Sequence, residues 1–280
     1  MRKFALRNSI GEIYPMDGTN GILFLNPQGL GFSSAPTFAD IKYGFFADVD
    51  NSTEPMNQVV GDIAFIGDPY GKYHTFVNWL NKGYPLELMY QPKGTQFYRS
   101  VEVSNLSKGE IELSGILRCT LALNCLTPWY KPNPINVNLA PDEDSGKRYS
   151  YSYPYTYSSS AAESAVEIVS AGHIDGAIKL SAVGPLVSPV ITLTNLGTGE
   201  VVGKMALNIT VDSGQTLEFS TVPSDSYITV DGEDVIGNVD IMENVFFRLP
   251  RNTTCSLSMV NSGAESIVAQ IKVYDYYRSV

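Results

Sequence analysis

Histidine is nearly missing from this 280-residue chain, which has two, and it carries only three cysteines and two tryptophans. Charge is sparse as well: Asp, Glu, Lys and Arg make up 17% of the residues, with 19 lysines and arginines against 29 acids and a net charge of -10. That deficit of cations excludes a nucleic-acid binder working by phosphate neutralisation across a basic face. No apolar run approaches the roughly 18 residues that a membrane-spanning helix needs. The opening Met-Arg-Lys-Phe-Ala-Leu-Arg lacks the apolar stretch of roughly 7–15 residues found in a secretory signal, so a soluble product of a cytoplasm is expected. The odd cysteine count without metal-ligand spacing excludes a disulfide scaffold or a zinc site. Cys119 and Cys125 stand six strand steps apart, about 20 Å and far beyond the roughly 7 Å limit for a disulfide. With Cys255 they read as small core hydrophobes. The Asn-x-Ser/Thr triplets at Asn51, Asn105, Asn208 and Asn252 then carry no glycosylation meaning.

What is present belongs to a chain that folds. Hydrophobic residues make up 44%, which excludes disorder driven by low hydrophobicity and high net charge. The length lies near the upper size of a single core, roughly 250–300 residues, and two smaller domains are expected. In the second half, alternation places Met205, Leu207, Ile209 and Val211 on one face of a strand. The period returns at Leu217/Phe219, Ile228/Val230, Cys255/Leu257/Met259 and Ile267/Ala269/Ile271/Val273. The separators Asp212-Ser213-Gly214, Asp231-Gly232 and Asn261-Ser262-Gly263 supply turn chemistry. Short strands without intervening helices predict an antiparallel sandwich or jelly roll.

The first half holds one expected helix, from residue 68 to about 82, with Asp68 as N-cap and Pro69 in the first position. Tyr73, Phe76, Val77 and Leu80 form its apolar face, Gly83 supplies a left-handed stop, and Pro85 forbids continuation. Residues 110–125 alternate so cleanly that one long strand is expected, bent or bulged at Gly115. Residues 22–25 and 41–46 are shorter and β-like. Residues 127 to about 160 contain Pro128, Pro132, Pro134, Pro141 and the cluster Asp142-Glu143-Asp144-Ser145-Gly146. This stretch is the expected boundary, with residues 1–145 as the first domain and 146–280 as the second.

Candidate chemistry is thin. His74 lies on the helix beside its apolar stripe, and His173 and Asp175 are two apart between Gly172 and Gly176, where a turn is a better reading than an acid–base pair. Gly-x-Ser-x-Gly is absent. Asp48-x-Asp50-x-Ser52-x-Glu54 opens like a calcium loop but lacks the glycine and the twelfth-position Glu, and reads as a solvated acidic turn. Gly29-Leu30-Gly31 has neither the third glycine nor the helix of a nucleotide motif, and reads as a strand-connecting turn. No catalytic residue, metal site or cofactor is expected. The most unusual stretch is Tyr149, Tyr151, Tyr153, Tyr155 and Tyr157, five rings on one side of a strand. They suit packing against the protein itself, a neighbouring subunit, or a sugar, and Pro154 places the strand at an edge.

The order of these features resembles the siphophage distal tail proteins. The helix is followed by Leu86-Glu87-Leu88-Met89-Tyr90, Arg99-Ser100-Val101-Glu102-Val103 and Leu126-Thr127-Pro128-Trp129-Tyr130, like that family's ring-forming N-terminal domain. The tyrosine stripe, Gly184-Pro185, Pro189, Asn195, Thr198-Gly199-Glu200, Leu217, Asp231-Gly232 and Leu249-Pro250 resemble its C-terminal sandwich. The resemblance implies a mainly β chain: a split-barrel ring domain with one helix, then a galectin-like or carbohydrate-module-like jelly-roll sandwich. It also implies a non-enzymatic component of the virion tail tip or baseplate, assembled in the bacterial host cytoplasm. Six copies would close a ring joining tail tube, tape-measure and receptor-binding proteins and letting DNA pass, with no specific nucleic-acid or membrane binding. The competing expectation is a carbohydrate-binding sandwich that contacts glycan through the tyrosine stripe, since galectin-like folds host many functions.

Overall fold

The computed structural model describes residues 2–32, 35–41, 44–53, 57–139, 162–223, 225–240, 245–262 and 267–280. The chain is mainly β and forms two compact units, Met1–Lys131 with Tyr277–Val280, and Pro132–Tyr276. The single cut expected near residue 145 falls outside the described residues.

The first unit is built from β1 (Lys3–Arg7), β2 (Ile13–Pro15), β3 (Ile22–Gln28), β4 (Ala35–Ile41), β5 (Gly44–Thr53), β6 (Gln58–Phe65), α1 (Pro69–Leu80), β7 (Leu86–Gln91), β8 (Phe97–Ile111), β9 (Leu117–Cys125) and the start of β10 (Trp129–Leu139). Its main sheet is antiparallel in the order β2-β1-β7-β8-β9-β6-β3. The Phe24 N–H donates to the Met16 carbonyl and Asp17 bridges Leu23, so β3 returns to the end of β2 and the sheet curls around its core. Val59, Ile63 and Phe65 of β6 and Leu117, Leu121 and Leu123 of β9 are fully buried there. Gly61 interrupts the β6 series because a Cβ at that position would stand 2.7 Å from the Phe24 ring.

Helix α1 starts as its sequence dictates. Asp68 Oδ1 accepts from the Gly71 N–H at 3.2 Å, and Pro69 takes the first position, where its missing N–H costs nothing. Its end differs from expectation. Gly83 does not adopt a left-handed conformation; Asn81 caps the helix with φ -83° and donates from Nδ2 to the Val77 carbonyl at 3.0 Å, satisfying an end carbonyl locally. The buried face is Phe76, Trp79 and Leu80, with Tyr73 and Val77 at its margin, so Trp79 completes the face in place of Val77.

The long strand expected over residues 110–125 is a hairpin. β8 ends at Ile111, β9 begins at Leu117, and Gly115 takes φ +76° in the turn between them, where the Glu112 N–H donates to Ile116 and the Gly115 N–H to Glu112. Alternation survives the reversal because Ile111 pairs with Leu117, two odd positions that share a face across an antiparallel pair. Leu113, on the same alternating series as Ile111 and Leu117, is fully exposed at the tip. Residues 41–46 likewise straddle two strands, with β4 closing at Ile41 and β5 opening at Gly44.

The second unit contains β11 (Ala162–Val169), β12 (Ile174–Val183), β13 (Leu186–Val187), β14 (Val190–Asn195), β15 (Val201–Ala206), β16 (Thr210–Val211), β17 (Thr216–Val222), β18 (Asp225–Val230), β19 (Glu233–Asp234), β20 (Thr254–Asn261) and β21 (Ile267–Tyr277). One sheet runs β11-β20-β14-β15 and another β19-β18-β17-β12-β21. Both contribute to one core, in which Leu193, Leu257 and Met259 meet Leu180, Phe219 and Ile271. Every position of the alternating pairs and quartets read from 217 to 273 is buried except half-buried Val230. The strand expected across 205–211 is broken: β15 stops at Ala206, Leu207 bridges Val239, and β16 resumes to pair with β13. Asp231 and Gly232 both take positive φ in the tight turn between β18 and β19, as a two-residue hairpin requires.

Burial pushes the Tyr276 phenol up to about 12, with Arg248 opposing and Tyr274 adding to the shift. An unfolded tyrosine ionises near 10, so between those values the unfolded chain has lost a proton that the folded chain keeps. The contribution is fully present below about pH 10 and lost as pH rises through about 12, on the order of 2–3 kcal/mol in all. Urea titrations across this window should fall steeply for the parent, and the Tyr276→Phe variant should lose that part of the slope.

Candidate interaction surfaces

No catalytic constellation forms among the described residues. His74 is exposed on α1 with its ring 5.9 Å from that of Tyr73. His173 is exposed in the bend before β12, and the Asp175 carboxylate accepts from the Arg251 backbone N–H at 3.1 Å. Cys119, Cys125 and Cys255 are free and buried, and burial pushes each thiol up, away from the reactive thiolate. No cluster of three metal-ligating side chains occurs among the described residues. Asp48, Asp50 and Ser52 lie along β5 rather than in a turn, and an extended backbone does not wrap a calcium ion; Glu54 falls outside the described residues. Gly29 has φ +82° in the connection after β3, and no helix follows. Tyr149, Tyr151, Tyr153, Tyr155 and Tyr157 lie outside the described residues.

Three surfaces can meet a partner. The first is the two-stranded sheet of β4 and β5, paired from Ala35↔Thr53 to Ile41↔Gly44 and hydrogen-bonded to no other strand among the described residues. Its outer edges leave a row of backbone donors and acceptors on either side. The second surrounds the β8–β9 tip. Tyr70 Oη donates to Glu110 at 3.1 Å, the Lys108 ammonium stands 4.9 Å from the Tyr70 ring centre and 5.4 Å from that of Tyr73, and Arg118 pairs with Glu112 at 2.9 Å. Exposed Leu113 and Ile111 extend beyond these polar contacts.

The third surface is the solvent side of β12, β17, β18 and β21. Registers place Gln270, Ser181, Glu218 and Thr229 in one cross-strand row, and Lys272, Lys179, Ser220 and Tyr227 in the next. Lys179 pairs with Asp225, and its ammonium lies 5.3 Å from the Tyr227 ring centre. Burial pulls the Lys179 ammonium down, but the Asp225 hydrogen bond and the neighbouring charges outweigh it and hold the group above its ordinary value. The Lys272 ammonium stands 5.5 Å from the Tyr274 ring centre. Pro134, Lys179, Ser181, Glu218, Tyr227, Gln270 and Lys272 line a recess of about 210 Å³. Sequence reading missed this face although its signal was available: residues between the buried odd positions of β21 are its polar members.

An inner cluster locks the first unit. Arg7 binds Glu87, the Tyr130 hydroxyl donates to Glu87, and Tyr130 stacks on Tyr98 at 5.8 Å between ring centres. Burial pulls the Arg7 guanidinium down, but Glu87 more than restores it and leaves it raised.

Residues 3–126 match the family model described as the distal tail protein, N-terminal domain. The chain carries a distal tail protein N-terminal domain. The likeness in fold to solved phage tail proteins extends beyond those residues. A chain of the phage P2 baseplate in its activated conformation with calcium aligns at TM-score 0.64 and 13% identity, covering 100% of both chains. The SPP1 Dit protein, described as a paradigm of the hub adsorption apparatus in phages infecting Gram-positive hosts, aligns at TM-score 0.62 and 12% identity, covering 97% of this chain and 98% of that one. None of the curated proteins matches the chain in sequence. The distal tail domain therefore occupies the unit that carries β4, β5 and the β8–β9 tip.

Proposed function

We propose that this protein is a structural, non-enzymatic component of a phage tail tip, whose copies close a hexameric ring joining the tail tube and tape-measure protein to baseplate or receptor-binding proteins. The observation that carries this reading is the β4–β5 sheet within the distal tail domain. An isolated two-stranded ribbon is marginally stable in water, and pairing its edge with a strand of the next copy satisfies its backbone groups. Such a head-to-tail contact uses two different faces of each copy, as a closed ring requires. A net charge of -10 per copy suits a lumen through which DNA slides without being held, because phosphate attraction requires cations.

Light scattering on the purified chain tests the reading. A mass of six times 30.6 kDa is expected, and replacing residues 33–56 by a short Gly/Ser linker should give a monomer that keeps the β-rich circular dichroism of the parent. A monomeric parent would refute the ring. An intact ring in the linker variant would refute the role of β4–β5, and retention on immobilised DNA at low salt would refute the repelling lumen.

A further inference from the structure

We propose that Leu113 at the β8–β9 tip of one copy inserts into a recess on the outer face of β1, β2 and β7 of the next copy, so that every copy carries both a knob and a hole. The inference rests on the ring reading and names a side-chain contact that the β4–β5 edge does not supply. Tight turns favour glycine, asparagine, aspartate and serine, yet Glu112-Leu113-Ser114-Gly115 holds a leucine fully in solvent. The support beneath it is fixed by the turn hydrogen bonds of Glu112 and Gly115, the Arg118–Glu112 ion pair, the Tyr70 hydroxyl on Glu110 and the Lys108 ammonium against the Tyr70 ring. A side chain carried on such a pre-organised support loses little freedom on docking. The hole is apolar at its base. Phe4 and Leu6 point into the core, so Ala5 faces outward between its cross-strand partners Pro15 and Met89, with exposed Ile13 beside them. Its volume of about 190 Å³ lies below the roughly 300–1,000 Å³ of sites that enclose drug-sized ligands and suits one aliphatic side chain. Lys3 and Asp17 stand at its rim, and Glu112 and Arg118 flank the knob, so each side offers one charge of each sign to the other. Met89 pairs with Tyr98 near the start of β8, whereas Leu113 follows its end at Ile111. At about 3.3 Å per residue these points are roughly 40 Å apart. The knob cannot fill the hole of its own copy, and the contact joins two different faces, as a closed ring requires.

Light scattering over a dilution series of the full chain, combined with disulfide trapping, tests the contact. Leu113→Asp should raise the concentration at which half of the ring dissociates about tenfold or more, the equivalent of one buried leucine side chain, while Leu113→Met keeps it. Leu113 is exposed, so both variants should melt like the parent by circular dichroism. In the double variant Leu113→Cys with Ile13→Cys, mild oxidation should link copies into a reducible ladder beyond the dimer that neither single variant gives, since the native cysteines are buried. The contact alone is overturned, and the ring stands, if the parent is hexameric and Leu113→Asp dissociates like it, if the double variant gives no ladder, or if Leu113→Cys by itself yields dimers through tip-to-tip pairing in place of the ladder. A parent that stays monomeric at every concentration overturns the ring and the contact with it.

Discussion

Leu121→Asp should leave no folded first unit. Leu121 is fully buried on β9, between Gly61 of β6 and Leu106 of β8, within the apolar cluster of the first unit. Burying an uncompensated charge costs several kcal/mol, comparable to the roughly 5–15 kcal/mol that holds a whole domain together. The adjacent Thr120 faces solvent on the same strand opposite Asp62, so Thr120→Asp should cost about 1 kcal/mol through the like-charge pair and leave the unit folded. Circular dichroism melting of the pair separates the faces: a Leu121→Asp chain that melts like the parent would refute the inward placement of the odd residues of β9.

Trp129→Ala should destabilise the first unit by about 3–5 kcal/mol, the usual range for emptying a large aromatic site in a core. The Trp129 side chain is fully buried, its ring centre is 5.8 Å from that of Tyr90, the Arg99 guanidinium lies 5.5 Å from it, and Nε1 donates to the Leu30 carbonyl at 3.3 Å. Removal therefore opens a cavity and strips one carbonyl of its donor. Trp129→Phe keeps most of the volume and should cost much less. The second tryptophan, Trp79, is buried in the same core and reports the unfolding in urea by fluorescence after Trp129 is gone. A midpoint unchanged in Trp129→Ala would mean that the site collapses without loss.

Much of this architecture was legible because burial on one side of a sheet forces a period of two. The second unit's core could be read from Leu217 to Val273, and the start of α1 from Asp68 and Pro69, since local chemistry decides both. The β8–β9 hairpin was misread for the same reason: odd positions stay on one face through the reversal, and only Gly115 marks it. The helix end was misplaced because Asn81 caps with its own side chain before Gly83 is reached. The β4–β5 sheet stayed hidden because the β-like pattern of 41–46 runs across the end of one strand and the start of the next. The recess on the second unit depends on neighbours brought together from β12, β17, β18 and β21, a relation that spacing along one strand does not contain.

The last four residues belong to the first unit, where Tyr277 sets its ring edge-on to Phe97 at 5.4 Å and Val280 packs on the core. These residues follow the whole second unit in the chain, so the first unit completes its packing only through contacts between segments far apart in sequence, with residues 132–276 made in between.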